Sequence, residues 1–247
     1  MSVRVLITAL ALLAACNRAG AAADGELVVF AAASLTDAFE AIGAAFEEQQ
    51  PNLQVAFNFG PSSGLATQIA EGAPGDVFAS AALKQMDGLA AAGLLAAGAQ
   101  TFTCNVLQIA VEPGNPKGVM GLADLARDDV VTVLAAPEVP AGQYAAQALA
   151  NAGVMVRPAS LEPDVRAVLS RVALGEADAG IVYRSDVVAS AGTVDGVAIS
   201  DDDNITASYP IAVLADAPNP AAAEAFIAFV LSDTGQALLG DAGFTTP

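Results

Sequence analysis

The sequence predicts an α/β protein in two lobes, each a mostly parallel sheet flanked by helices. Three observations lead there. Strand and helix signals alternate along nearly the whole chain, the pattern of parallel strands joined by helical crossovers. The 247 residues are 55% hydrophobic, enough to fill the core of one large or two modest domains. Finally, an apolar strand around Val106–Val111 carries the chain into a second lobe, and another at Tyr209–Leu214 brings it back. Two crossings imply a hinge and a cleft. The expected division is a leader over residues 1–23, a first lobe of 24–105 with 208–247, and a second lobe of 106–207.

The elements follow in order. Leu27–Phe30 is an apolar strand, and Leu35–Gln50 a helix with Phe39, Ile42 and Phe46 on one face, the spacing of a buried stripe. Leu53–Phe59 is the next strand. The turn Pro61-Ser62-Ser63-Gly64 opens a helix to about Glu71, followed by a short strand at Asp76–Ala79 and a helix near Leu83–Ala92. The second lobe repeats the grammar, with a short helix at Gly121–Arg127, a strand at Val130–Leu134 and a helix at Ala141–Ala150. Glu162-Pro163-Asp164 starts a helix running to Leu174, and Ala179–Tyr183 is an apolar strand with a polar tip. An acidic loop, Asp201-Asp202-Asp203-Asn204, precedes the return strand, and helices Ala221–Leu231 and Thr234–Leu239 finish the chain.

Composition narrows the chemistry. Nine basic residues against 27 acidic ones give a formal net charge of −18. That balance argues against nucleic-acid partners and against capture of anions by net field. An anion site here must work by local dipoles. Histidine is absent, which removes Ser-His-Asp and Cys-His catalysis and the common His-containing metal sites. A serine nucleophile needs a base; the only lysines, Lys84 and Lys117, lie away from the candidate serines, and no Gly-x-Ser-x-Gly elbow surrounds any of them. The chain therefore reads as a binding protein, not an enzyme.

The N-terminus reads as a secretory signal. Arg4 precedes an apolar run from Val5 to Ala15 that is too short to span a bilayer comfortably. It ends in Leu13-Ala14-Ala15-Cys16, a lipoprotein-type box in which Cys16 would carry lipid; the alternative is cleavage after Ala21-Ala22-Ala23. Both readings place the mature protein outside the inner membrane, in the periplasm. Either way Cys104 loses the only other cysteine as partner and is expected to be a small buried hydrophobe.

Several residues stand where strands give way to helices. Ser34 is one. A serine there is ordinarily a helix N-cap, with Asp37 at the capping-box position, and such a cap contributes about 1 kcal/mol. The same position turns its hydroxyl and the free N–H groups of the first turn out of the carboxyl edge of a sheet, which suits a small anion. Ser62 and Ser63 repeat the arrangement, with Gly64 letting the backbone come close. Pro140-Ala141-Gly142 opens a helix after a strand and offers bare N–H groups on small residues. Tyr183 is either an edge aromatic or a hydroxyl donor into the cleft.

On these runs the sequence resembles the periplasmic molybdate-binding proteins of ABC importers, members of the type II periplasmic-binding-protein family. The matching segments are Val29–Thr36, Gly72–Phe78, Val139–Gly142, Asp164–Arg166 and Gly180–Asp186, and the likeness runs from about Glu26 to Phe244. It implies that a molybdate or tungstate oxyanion is held by Ser34, Ser62, the main-chain N–H groups of Ala141 and Val165, and the Tyr183 hydroxyl, with Ser63 in place of or beside Ser62. It also implies delivery to a membrane permease by a monomer that needs no cofactor. One departure shows: where an acidic residue is expected after Ser80-Ala81, this chain has Ala82. Arg166 and Arg184, next to two of the implied ligands, read as surface or interlobe salt bridges. A same-fold binder of sulfate or thiosulfate is the alternative.

These residue types suit that ligand. Molybdate and tungstate are tetrahedral dianions that accept hydrogen bonds and donate none. Each charged hydrogen bond adds about 1.5–3 kcal/mol, and several must converge to offset the desolvation of a dianion.

Overall fold

The computed structural model describes residues 25–247; the leader and Cys16 lie outside the described residues. The elements are β1 (Gly25–Ala32), α1 (Thr36–Gln49), β2 (Leu53–Gly60), α2 (Ser62–Ala70), β3 (Val77–Ala79), α3 (Leu83–Ala91), β4 (Gln100–Val111), β5 (Thr132–Ala135) and α4 (Pro140–Asn151). After these come β6 (Ser160–Glu162), α5 (Val165–Ala173), β7 (Ala179–Tyr183), α6 (Arg184–Ala189), β8 (Asp195–Ala198), β9 (Thr206–Val213), α7 (Pro220–Val230) and α8 (Asp233–Asp241). Short 3-10 turns cover Ala33–Leu35 and Leu122–Ala126.

The strands run in the order β2-β1-β3-β9-β4-β7-β5-β6, with β8 also on β4. β1 is parallel to β2 and β3, and β5 is parallel to β6 and β7. β9 runs antiparallel between β3 and β4. β1 is buried on both faces over most of its length, which is why it reads as a continuous apolar run instead of an alternating one. The predicted stripe of α1 is buried: Phe39, Ile42 and Phe46 face the core, and Phe226 of α7 meets Phe39 and Phe46 edge-on at 6.0 and 5.4 Å. A second cluster, with Phe30, Leu65, Ile69, Phe78, Met86 and Leu89, packs α2 and α3 against the opposite face.

The Gly72–Phe78 motif is part of that packing. A Cβ on Gly75 would stand 2.2 Å from the Phe30 ring, so only glycine fits. The buried carboxylate of Asp76 accepts from Val28 N at 2.8 Å and Asn219 N at 2.6 Å, tying β1 to the start of α7. Cys104 is free and buried, as expected.

β4 carries the chain from one half of the sheet to the other. It pairs with β9 from Gln100 to Val106 and with β7 from Leu107 to Val111. Its start, six residues ahead of Val106, escapes the sequence reading because Gln100, Thr101, Thr103 and Asn105 interrupt the apolar signal. Thr103 and Asn105 are nevertheless buried, their side chains donating to Thr245 O and Ser185 Oγ. Three further elements are too short to show a period: β6, β8 and α6. In particular Glu162 does not open a helix. It closes β6, where its carboxylate accepts from Ser160 Oγ at 2.5 Å and lies 3.2 Å from Arg171 Nε; the helix begins at Val165, capped by Asp164 through Ala167 N.

Where β4 changes partners, the return crossing is fastened to it. Asn204 Oδ1 accepts from Leu107 N and its Nδ2 donates to Leu107 O, both at 3.0 Å. The amide so mimics a strand residue. Replacing it with alanine, Asn204→Ala, leaves both main-chain groups of Leu107 without this partner and is expected to lower stability by about 1–3 kcal/mol, read by urea denaturation.

Candidate functional site

All five residues singled out from the sequence face one small cavity at the carboxyl ends of β1, β2 and β7. It is lined by Ala32–Ser34, Gly60–Ser62, Ala81, Val139–Ala141, Asp164, Val165 and Tyr183, with a volume of about 20 Å³. Such a volume admits one small ion and no organic metabolite of any size. Ser63 lines a different groove, between α2 and α3.

Neither serine caps its helix, which corrects the sequence expectation. The turn Ala33–Leu35 intervenes before α1, whose N-cap is Leu35 and has no side-chain cap bond. Ser34 is buried, and its Oγ lies 2.8 Å from the hydroxyl of Tyr209, 175 residues away on β9. Asp37 does not complete a capping box; it pairs with Arg166 of α5. Pro61 occupies the N-cap of α2, and buried Ser62 Oγ accepts from Ala81 N at 3.0 Å.

Across the cleft, α4 starts with Pro140 and α5 with Val165. First-turn N–H groups have no acceptor within their own helix, so those of Ala141 and Val165 are free to meet an anion, and the helix dipoles favour it there. Gly142 makes this close approach possible. A Cβ on it would stand 2.1 Å from Ala136 O, so a larger residue would push the start of α4 off the loop after β5. Asp164 is the single acidic lining residue; its Oδ1 accepts from Ala167 N at 2.9 Å, which occupies the carboxylate at the start of its own helix.

Tyr183 is 1% exposed, and its hydroxyl is a buried polar atom with no hydrogen-bond partner. Burial, then the neighbouring Tyr209, pushes its pKa well up, so the phenol keeps its proton at any physiological pH. A buried donor left unpaired costs about 1–3 kcal/mol, and here it stands on the wall of a cavity that would hold an acceptor. Tyr183 N donates to Asp186 Oδ2 at 3.0 Å, fixing the end of β7.

Neither arginine lines the cavity. Arg166 links Asp37 on α1 with Asp186 on α6, its Nε 2.9 Å from Asp186 Oδ1. Among the described residues Arg184 makes no salt bridge of the kind expected; its Nε donates to Gly243 O at 2.7 Å, near the C-terminus. Ala82 is buried, stands at the N-cap of α3 with no side-chain cap bond, and does not line the cavity. The missing acid is thus a missing cap: Ser80 Oγ donates to Ala82 O and accepts from Ala82 N instead.

Asp186 is fully buried, and its pKa is raised to about 6, chiefly by burial, with Arg166 and Tyr183 N opposing the rise. The folded state therefore holds a proton that the unfolded chain gives up near pH 4, so this group's contribution to stability falls as pH climbs from about 4 to about 6 and is level above. Comparing the protein with Asp186→Asn by thermal or urea melts, the stability difference should move by at most about 3 kcal/mol over that window, against the wild type at the higher pH.

A family model described as bacterial extracellular solute-binding protein matches residues 27–245. The molybdate-binding protein ModA of Mycobacterium tuberculosis is 42% identical over 222 residues, covering 90% of this chain and 85% of its own. Among solved structures, the periplasmic molybdate-binding protein of Azotobacter vinelandii aligns with a TM-score of 0.78 at 23% identity, over 90% of this chain and 99% of the other. The sulfate-binding protein SubI of Mycobacterium tuberculosis aligns with the same TM-score at 22% identity, over 89% and 86%. These two likenesses establish the architecture, that of the type II periplasmic binding proteins. The chain belongs to the family of bacterial extracellular solute-binding proteins.

Proposed function

We propose that the protein captures molybdate, and with it tungstate, in the cleft and delivers it to the membrane permease of an ABC importer. The observation that carries this reading is a cavity of ion size walled by neutral donors, with the Tyr183 hydroxyl buried and unpaired beside it. Ser34, Ser62, Tyr183 and the N–H groups of Ala141 and Val165 would hold the oxyanion. Kinship with a molybdate-binding relative at 42% identity supports the choice of ion. Binding needs no catalytic step and no cofactor.

We also infer that residues 24–105 with 208–247 and residues 106–207 move as two lobes about the crossings, closing on the ion. Arg166 with Asp37 and Arg184 with Gly243 would then hold the closed form. A monomer in the periplasm, either free or anchored by lipid on Cys16, fits this role.

Sulfate is the second reading, favoured by the equal structural likeness to a sulfate-binding protein. It has the same charge and shape as molybdate but is smaller, so cavity size must discriminate between them. Calorimetric titration with molybdate, tungstate, sulfate and phosphate separates the two. Molybdate and tungstate should bind at least tenfold more tightly than sulfate; equal affinity for sulfate would sink the molybdate assignment. Tyr183→Phe removes one hydroxyl and should weaken molybdate at least tenfold, or 1.4 kcal/mol. Unchanged affinity would take Tyr183 out of the site.

A further inference from the structure

We propose that Asp164 is a specificity-determining residue that limits the grip of the cleft: its carboxylate shares the start of α5 with the anion and opposes it in proportion to the anion's charge. The inference rests on reading the cleft as an oxyanion site. It accounts for the one acid in a cavity otherwise walled by neutral residues.

Helices α2, α4 and α5 all begin on the cavity wall. The N-cap of α2 is Pro61 and that of α4 is Val139, and neither makes a side-chain cap bond. No capping side chain therefore competes for the N–H groups of their first turns. α5 differs: its N-cap is Asp164, whose Oδ1 accepts from Ala167 N at 2.9 Å. That bond pins the carboxylate against the same first turn that Val165 opens on the cavity. In a regular helix the N–H groups of residues two apart lie on the order of 4 Å from each other. An anion on Val165 N and the carboxylate on Ala167 N are then neighbours.

Capping does not demand that charge. Asn and Ser cap helices as well as Asp does, and this chain uses both elsewhere. Asn219 Oδ1 accepts from Ala222 N at the start of α7, and Ser232 Oγ accepts from Gly235 N at the start of α8. Among the described residues no lysine or arginine forms a salt bridge with Asp164, and Arg166, two positions on, is engaged by Asp37 and Asp186. The negative charge thus stands without a cationic partner where an anion would draw on the same helix dipole.

Like charges repel in proportion to the product of the charges. A tetrahedral dianion meets this repulsion twice as strongly as a monoanion of the same size. Asp164 so lowers the affinity that the donors alone would provide, and it does so most for the doubly charged ions the donors suit. The short range places the effect on escape more than on encounter, so the ion leaves faster than it would from a neutral cap. A protein that hands its ion on has use for such a tempered grip.

Asp164→Asn keeps the cap and removes the charge. The test titrates wild type and D164N by calorimetry with molybdate and with perrhenate, a tetrahedral monoanion of nearly the same size, the latter in competition with molybdate. Release of molybdate is followed by stopped-flow tyrosine fluorescence, and thermal melts check the fold. D164N should bind molybdate at least tenfold more tightly, mostly through slower release. Perrhenate should gain only about threefold, half the free energy for half the charge. A merely structural role for Asp164 would shift both anions by the same factor.

If D164N does not fold, Asp164→Ser, which also caps without charge, should shift the two anions in the same sense. A wild type that binds molybdate, with a folded variant that binds it no more tightly, overturns this inference alone, as does an equal gain for both anions. A wild type that binds neither anion overturns the functional reading and the inference with it.

Discussion

A dianion buried without a countercharge can be held only by neutral groups that have a proton to give and nowhere else to give it. On the proposed oxyanion reading, that constraint accounts for the cleft. Of the lining residues none is a lysine or arginine, so the donors come from helix starts and hydroxyls. Each hydroxyl is then disciplined from behind. Ser62 is filled by Ala81 N, Ser34 stands against Tyr209, and Tyr183 makes no hydrogen bond through its hydroxyl among the described residues. The sheet supplies the geometry for this, because its strand ends bring helix starts from two separate stretches of chain to one point.

Much of this was legible in the sequence, for identifiable reasons. The Phe39, Ile42, Phe46 stripe and the continuous apolar run of β1 are strong signals, and they located α1 and β1. Of the five residues around one cavity, Ser34, Ser62 and Tyr183 could be placed at strand ends from element order, whereas the choice of the Ala141 and Val165 N–H groups came from the resemblance to the molybdate-binding family. What failed was the local role assigned to the serines. A helix cap is the commonest use of such a serine, but here the partner of Ser34 is 175 residues away. No pattern within a window of a dozen residues contains that information. Tyr209 escaped notice for the same reason, as an aromatic in an apolar strand looks like core. The elements missed outright, β6, β8 and α6, span only 3, 4 and 6 residues, too few for a period to declare itself.

The same long-range ties fasten the two halves of the molecule together. Asn105 of β4 reaches Ser185, Arg184 of α6 reaches Gly243 and Arg166 of α5 reaches Asp37 of α1, while Asn204 ties the returning stretch to Leu107 of β4. Three of these four contacts use an amide or guanidinium on a main-chain or hydroxyl partner. They are short, directional bonds between stretches far apart in sequence.

The net charge of −18 gives this arrangement a kinetic side. On the proposed reading, an incoming dianion is repelled by the surface as a whole and attracted only within the reach of the helix starts. Dissolved salt screens the long-range repulsion over about 10 Å at 0.1 M while leaving the enclosed bonds nearly untouched. Encounter is therefore faster in brackish surroundings than in fresh ones, whereas retention is indifferent to them. The protein is built less to gather its ion from afar than to hold on once the ion has found its way in.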